Sequence, residues 1–243
     1  MATWLNRRKF LIGTALTCMM LSGCGDDPPA SPEEIRDEAF IAFLKQNILD
    51  QDILSIPRLT TEQRQAFGIL AGHYDIIVQF HDTLSSTLNT CFPQIMEQIQ
   101  RLQTLPNLQR NWQSVSAVRD LLNVRIRKSL DEAYQVALNS RQSLIQSEKV
   151  KPVFNDVFIR SVEAPVSSVH NLLKMMSESL DIMENMGSFL DDNRDNISFS
   201  GILVQAKTPT MQEELNTLMK EFNFRAKELQ KQLALFHGQF SQK

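Results

Sequence analysis

The chain has 243 residues, 42% of them hydrophobic and 22% charged, with a formal net charge of −3 at pH 7. This length fits one domain or one large helical bundle. The slightly acidic balance leaves no basic surface for nucleic acid and little electrostatic attraction to anionic lipid. Because the chain has only eight glycines, few loops remain to carry a catalytic site. We therefore expect a protein that is not an enzyme and does not bind nucleic acid.

The first 23 residues have the pattern of an export signal. Arg7, Arg8 and Lys9 form a basic segment, and residues 10–21 are an apolar stretch of twelve residues. A membrane-spanning helix needs about 20 apolar residues, whereas a stretch of this length is usual in a cleaved signal. The sequence predicts that residues 1–23 are removed.

The signal ends in Leu21-Ser22-Gly23-Cys24, which has the pattern of a lipobox, the processing site of a bacterial lipoprotein. The small Ser22 and Gly23 let a peptidase seat the chain beside Cys24. The Cys24 thiol can take a diacylglyceryl group. Cleavage before Cys24 frees its amine, which can take a further acyl chain. Two or three chains hold firmly where one holds only marginally. The predicted partner is the membrane, through this N-terminal lipid.

The export route has two interpretations. Residues 6–11, with the pair Arg7 and Arg8, resemble the twin-arginine export motif, although Asn6 stands where Ser or Thr is usual. An ordinary secretory signal that carries Arg-Arg is the alternative.

The processed chain would consist of a lipidated, Pro-rich tether over residues 24–32 and a helical domain over residues 33–243. It would carry 22 basic and 28 acidic residues, a net charge of −6. Cys91 would be its one remaining free thiol, which excludes an internal disulfide. Between apolar neighbours, Cys91 is predicted to be a buried small hydrophobic residue.

The first half of the domain shows three helical patterns. Ser31 and Glu34 form a capping box for a helix that reaches about residue 49. Residues 60–63 open a second, long helix, in which Pro93 predicts a kink or break near Asn89. A third helix is predicted over residues 108–147. Its seam follows alternating steps of three and four: Trp112, Val115, Arg119, Leu122, Ile126, Ser129, Ala133, Val136 and Ser140. Arg119 is expected to pair with a carboxylate or to reach solvent.

The second half predicts a break at residues 149–152, a short helix over 153–162 and another that starts at Pro165. The last of these carries two apolar stripes and should be the most buried. Residues 197–204 suggest a hairpin around Ser200-Gly201, and a final helix begins at Pro209, where Glu221 and Arg225 can pair. The predicted fold is all-α, an elongated bundle of about five main helices with a small β-hairpin before the last one.

Three stretches carry a resemblance to a known family. Residues 39–44 (AFIAFL), 59–68 (LTTEQRQAFG) and 150–154 (VKPVF) resemble the YiaF-type lipoproteins of enteric bacteria, and the similarity covers most of the processed chain. That family is a domain of unknown function, so the resemblance implies an envelope lipoprotein and supplies no catalytic residues. The twin-arginine-like signal is where this chain departs from those relatives.

The sequence contains little site chemistry. His73, His81, His170 and His237 are scattered, without the spacing of a metal site, and are expected in the core or at its rim. No cofactor is expected. Four methionines crowd one predicted helix: Met175, Met176, Met183 and Met186. Gap-filling in the core is the expected role for them, because thioether ligands for Cu(I) are rarer.

These observations predict a non-enzymatic interaction or scaffold protein of the cell envelope, with an envelope protein as a possible partner. The alternative is a binding module for an apolar ligand in a Met-rich helical pocket. In enteric lipoproteins, as the resemblance implies, Asp directly after the lipidated Cys retains a protein in the inner membrane. Here Gly25 follows Cys24 and Asp26 comes one place later. We therefore expect the inner leaflet of the outer membrane, facing the periplasm, rather than the inner membrane.

Overall fold

A computed structural model of the chain describes residues 30–102, 104–200 and 203–240. Within these residues, α-helices join end to end into five long rods. The first is α1 (Pro32–Leu44) with a π-helical segment (Lys45–Leu49), and the second is α2 (Thr61–Phe67) with α3 (Ile69–Arg101). The third is α4 (Leu105–Asn111), a 3₁₀ turn (Trp112–Ser114), α5 (Val115–Asp120), a π segment (Leu121–Arg127) and α6 (Lys128–Gln142).

The fourth rod is α7 (Val150–Phe158), a π segment (Ile159–Glu163) and α8 (Ala164–Asp192). Strands β1 (Ile197–Ser200) and β2 (Leu203–Ala206) then pair antiparallel, with Phe199 opposite Val204. The fifth rod is α9 (Pro209–Phe240). The predicted all-α bundle of about five main helices, with a hairpin before the last one, is confirmed.

The first two rods begin where side chains satisfy free backbone N–H groups. The Ser31 hydroxyl accepts from Glu34 N at 3.2 Å, while the Glu34 carboxylate accepts from Ser31 N at 3.0 Å. Thr60 and Gln63 make the same reciprocal pair at the start of α2. Each capping box satisfies two donors that the first helical turn leaves without an intrahelical partner.

Side-chain contacts fix the directions of the rods. Lys149 lies 3.4 Å from Glu34 where α1 and α7 begin, and Arg160 donates to the Leu49 carbonyl at 3.0 Å where both end. Helices α1 and α7 are therefore parallel. Helix α6 runs antiparallel to α3, because Gln146 contacts His73 and Ser129 contacts Thr87.

One continuous hydrophobic core runs through the rods, from Phe40 to Leu215. Near α1 it is aromatic: Phe43 packs edge-on against Tyr74 with ring centroids 5.2 Å apart. The predicted burial of α8 is also confirmed. Its buried side chains are Val166, Val169, Leu172, Leu173, Met176, Leu180, Ile182, Met183, Met186 and Leu190.

The third helix differs from its prediction in both register and extent. It begins at Leu105 and ends at Gln142 rather than at residues 108 and 147, and the 3₁₀ turn and π segment interrupt it. A π turn takes up one more residue than an α turn, so the buried face moves by one position after it. Leu130 and Ala137 are buried where Ser129 and Val136 were predicted, and Val136 is 62% exposed.

Three prolines were predicted to interrupt helices, and none of them does so. Helix α3 runs unbroken through Pro93, and the break in that rod lies at Gly68, whose φ of 53° favours glycine. The predicted break at residues 149–152 is the first turn of α7, where Pro152 loses no intrahelical bond. Pro165 does not start a new helix, because the π segment carries the chain from α7 into α8.

Two arginines predicted to be paired are paired across rods. Arg119 binds Asp181 at 2.6 Å and Glu184 at 2.7 Å, which confirms its predicted carboxylate partner. Arg225 does not use Glu221; it binds Glu178 of α8 at 2.8 Å. Arg225 pairs with Glu178 rather than with Glu221 because α8 and α9 pack along each other.

Candidate functional site

The predicted export and lipidation residues lie outside the described residues. These are Arg7, Arg8, Leu21, Ser22, Gly23 and Cys24. Because the description starts at Ala30, the part of the structure nearest to them in sequence is the beginning of α1. We call this part the proximal end and define it as residues 31–37, 68–73 and 144–150.

Ion pairing joins two parts of the proximal end. Glu34 caps α1 and also binds Lys149, just before α7. The hydrogen bond from the Ser31 backbone, and then Lys149, lower the pKa of Glu34 below its ordinary value. The carboxylate is therefore ionised at neutral pH and fastens the start of α1 to the connection before α7.

A buried carboxylate continues the cluster. Asp37 is only 5% exposed, and the Arg36 guanidinium donates to it at 2.9 Å and 3.1 Å. Burial would raise the pKa of Asp37, but the Ser147 hydroxyl and the Arg36 charge hold it below its ordinary value. Asp37 is thus a buried anion with its countercharge beside it.

His73 closes the cluster from α3. It is 5% exposed, and the Gln146 amide lies 3.4 Å from its Nδ1, which accepts in the neutral ring. Burial and the nearby Arg36 charge lower the pKa of His73. The neutral ring lies edge-on to Phe154. The cluster therefore holds α1, α3 and the connection before α7 together at one end.

His81 binds the Ser161 carbonyl, which Pro165 leaves without its α-helical donor. Its Nε2 lies 2.6 Å from the Ser161 carbonyl, so the ring donates there. In an α-helix that carbonyl would accept from residue 165, but Pro165 has no N–H to donate. Burial lowers the pKa of His81 despite the opposing effects of this hydrogen bond and of Asp82.

The other histidines do not gather into a site within the described residues. His170 binds Asp131 at 2.7 Å on the rim, and the side chain of His237 lies outside the description. Among the side chains that the structure describes, no group of three His, Cys, Asp or Glu could hold a metal ion. The core position of His73 and the rim position of His170 agree with the sequence prediction.

The methionines and Cys91 fill the core. Met176, Met183 and Met186 are buried in α8, and Met175 is half-buried. Cys91 is a free thiol at 5% exposure, which confirms its predicted burial. The prediction of an apolar ligand pocket at the methionines stays a prediction.

A groove of about 640 Å³ lies on the side of the molecule where α3 meets α5. Its lining is mixed: Gln94, Glu97, Gln98, Ala117, Asp120, Leu121, Val124 and Arg125. The π segment of the third rod supplies three of these residues, including the half-exposed Val124. The groove is open and its lining is mixed, so it does not have the apolar enclosure of a typical small-molecule pocket.

Sequence reasoning missed Asp37 and the pairing of His81 with Ser161. Asp37 lies on the core face of α1, and a charge in an apolar stripe beside Arg36 was the available signal. Pro165 indicated a free carbonyl at Ser161, but its donor comes from α3, 80 residues away.

In the part of the chain that the structure covers, no helix is both long enough and apolar enough to cross a bilayer.

Comparison with known proteins places the chain in a family. Residues 12–236 match the family described as "Protein of unknown function (DUF3053)". Over 208 residues the chain is 22% identical to "Uncharacterized protein YiaF" of Escherichia coli, an alignment that covers 86% of this chain and 85% of the relative. A protein of the same name from Shigella flexneri aligns equally well. No solved structure matches the chain. The sequence resemblance is confirmed, and the chain belongs to the DUF3053 family, whose description assigns it no activity.

Proposed function

We propose that this protein is a lipid-anchored lipoprotein of the bacterial envelope whose helical body is a non-enzymatic interaction or scaffold module. The observation that carries the proposal is the order of features at the N-terminus. A basic segment, a short apolar stretch and the lipobox that ends at Cys24 precede the first helix cap, Ser31, by only a few residues. A signal placed this way leaves the whole folded body after the lipidated cysteine.

The structure of the body supports a scaffold role. Ion pairs at the proximal end join Arg36 to Asp37 and Lys149 to Glu34, and His73 and His81 serve packing and hydrogen bonding. Five rods around one core give a rigid, elongated surface. Such a body suits contact with another macromolecule better than chemistry on a small substrate.

Lipidation is tested by the change Cys24→Ser, with Cys18→Ser as the matched control. In cells fed a radioactive fatty acid, the wild type and Cys18→Ser should incorporate label, whereas Cys24→Ser should not. Cys18 lies inside the apolar stretch and would leave with the signal. Continued labelling of Cys24→Ser would overturn the lipoprotein proposal.

The proposed location is the inner leaflet of the outer membrane, facing the periplasm. Gly25 occupies the position at which an Asp would retain the protein in the inner membrane. Gly25→Asp should move the protein to the inner-membrane fraction of a density gradient, while Ala30→Asp should leave it in the outer-membrane fraction. Recovery of the wild type chiefly in the inner-membrane fraction would contradict the proposed location.

The scaffold role is tested by crosslinking in intact cells. Photo-crosslinking residues placed at exposed positions along the rods should give discrete adducts with envelope proteins at a subset of positions. If no position gives an adduct while the protein is folded and anchored, the scaffold role is wrong.

A further inference from the structure

Three large aliphatic side chains are exposed at the proximal end. Ile35, Ile69 and Ile145 expose 58%, 64% and 85% of their surfaces. They come from the first turn of α1, the first residue of α3 and the connection between α6 and α7. Three separate elements therefore present an isoleucine at the same end of the bundle, where the rods could have carried polar residues at no cost to the core.

Contacts between the elements of the proximal end place the three isoleucines at the same height along the bundle axis. Lys149 reaches Glu34, Gln146 reaches His73, and the Arg36 side chain passes over Gly68. Each isoleucine adjoins in sequence a residue that makes one of these contacts. The buried cluster thus holds the three exposed side chains in a fixed arrangement around the start of α1.

The chain before α1 limits how far this end can lie from an anchor at Cys24. Six peptide links join Cys24 to Ala30. A chain extends at most about 3.6 Å per residue, so the span is about 22 Å at full stretch. This is only about twice the diameter of one helix. Of all parts of the folded body, the proximal end is held nearest to the surface that carries the lipid.

We propose that the proximal end docks on the bilayer surface, with Ile35, Ile69 and Ile145 entering the boundary between headgroups and acyl chains. This inference rests on the proposed lipid anchor. Branched aliphatic side chains on a rigid support gain by leaving water for that boundary. The anchor brings the surface close at high effective concentration, so weak insertion at three points is sufficient.

The local charges favour apolar docking over electrostatic docking. The acids of the proximal end are Glu33, Glu34, Asp37 and Glu148, and its bases are Arg36 and Lys149. Both bases are already paired with carboxylates, so no net positive field results. Docking should therefore occur on zwitterionic lipid and change little when anionic lipid is added.

The test uses the full lipidated protein, in a Cys91→Ala background, reconstituted into vesicles of phosphatidylethanolamine and phosphatidylglycerol. A nitroxide is attached to Ile35→Cys, Ile69→Cys or Ile145→Cys, and to the control variants Val136→Cys and Leu203→Cys. The controls replace apolar side chains of similar exposure, 62% and 61%, outside the proximal end. Accessibility to membrane-dissolved oxygen is compared with accessibility to a water-soluble nickel chelate.

Docking predicts a several-fold higher ratio of oxygen to nickel accessibility at the three proximal positions than at the two controls. Equal ratios in protein that floats with the vesicles would overturn docking and leave the anchor intact. Protein that does not float would overturn the anchor proposal and docking together. Protection in native membranes but not in pure lipid would also overturn lipid docking, since a protein would then be the occupant.

Discussion

At the scale of single residues, one glycine lets the third rod approach the fourth. A Cβ built on Gly187 of α8 would lie 2.2 Å from Trp112 Cβ and 3.0 Å from its Cγ. The indole also donates to Asp191 at 3.3 Å, and Gln109 donates to the Leu190 carbonyl at 2.6 Å. Close approach here brings the donors of one rod to the acceptors of the other.

Gly187→Ala should therefore destabilise the protein. The added methyl group must displace the Trp112 side chain near its backbone, and overpacking of this kind costs about 1–3 kcal/mol. The matched control is Gly72→Ala in α3, where a Cβ meets nothing within 4 Å. That change should stabilise by about 0.5–1 kcal/mol through helix propensity. Urea unfolding measures both.

A shift of the urea midpoint in the same direction for both variants would contradict this packing. The m-value should stay constant, because neither change alters how much surface unfolding exposes. The sequence predicted two apolar stripes on the helix that carries Gly187, and it placed Trp112 on the seam of another helix. It could not pair them, since the register between two rods is set by packing along their whole length.

At the scale of secondary-structure elements, a proline and a histidine define the π segment of the fourth rod. Pro165 removes the N–H that would bind the Ser161 carbonyl, and His81 of α3 replaces it. Nearby, Arg160 donates to the Leu49 carbonyl and to Gln51, where the first rod ends. A cation at the C-terminal end of a helix also interacts favourably with its dipole. The π segment is thus held by contacts to two other rods.

The lowered pKa of His81 makes folding sensitive to mild acid. The unfolded ring takes up a proton near pH 6.5, whereas the folded ring resists protonation because burial disfavours its charged form. The contribution of His81 to the free energy of unfolding is therefore fully present above about pH 6.5. It is lost as the pH drops toward the lowered pKa of the folded state. His73, also of lowered pKa, contributes in the same direction.

His81→Gln should reduce this pH dependence. Glutamine keeps an N–H donor for Ser161 but does not titrate. Between about pH 7.5 and about pH 5.5 the wild type should lose more unfolding free energy than the variant, by up to about 1.4 kcal/mol per pH unit. Urea unfolding at the two pH values measures the difference. Equal losses in the two proteins would show that His81 does not carry the effect.

The elements also show what the sequence pattern could and could not predict. Helical periodicity and caps found the five rods and the hairpin, because these depend on neighbours in the chain. The π segments were not predicted, since the contacts that hold them, such as His81 to Ser161, join distant residues. The one-position shift that exposes Val136 and buries Ala137 follows from one of them.

At the scale of the whole molecule, the proximal end was only partly predictable. The Ser31 cap and its Glu34 partner are local and were found in the sequence. The approach of Lys149 and Gln146 to α1 and α3 spans 115 and 73 residues. Only the folded chain brings them together, and with them the exposed isoleucines.

Cys91 can report how the core opens as a unit. It lies in the middle of α3 at 5% exposure, within the one core that joins the rods. A chain beginning at Asp26 contains no other cysteine, so a thiol reagent reads this site alone. A buried thiol reacts only when the structure opens, and each tenfold slowing corresponds to about 1.4 kcal/mol of opening free energy.

Native Cys91 should therefore react at least about a hundredfold more slowly than an exposed thiol, which corresponds to an opening free energy of about 2.8 kcal/mol or more. The matched control is Thr90→Cys in a Cys91→Ala background, one residue away on the exposed face of the same helix. The control should react at the rate of a free thiol with or without urea. Wild-type reactivity should rise along the unfolding transition measured by circular dichroism. If Cys91 and the control react equally fast in the native state, Cys91 is not held in a closed core and the rods do not form one cooperative unit around α3.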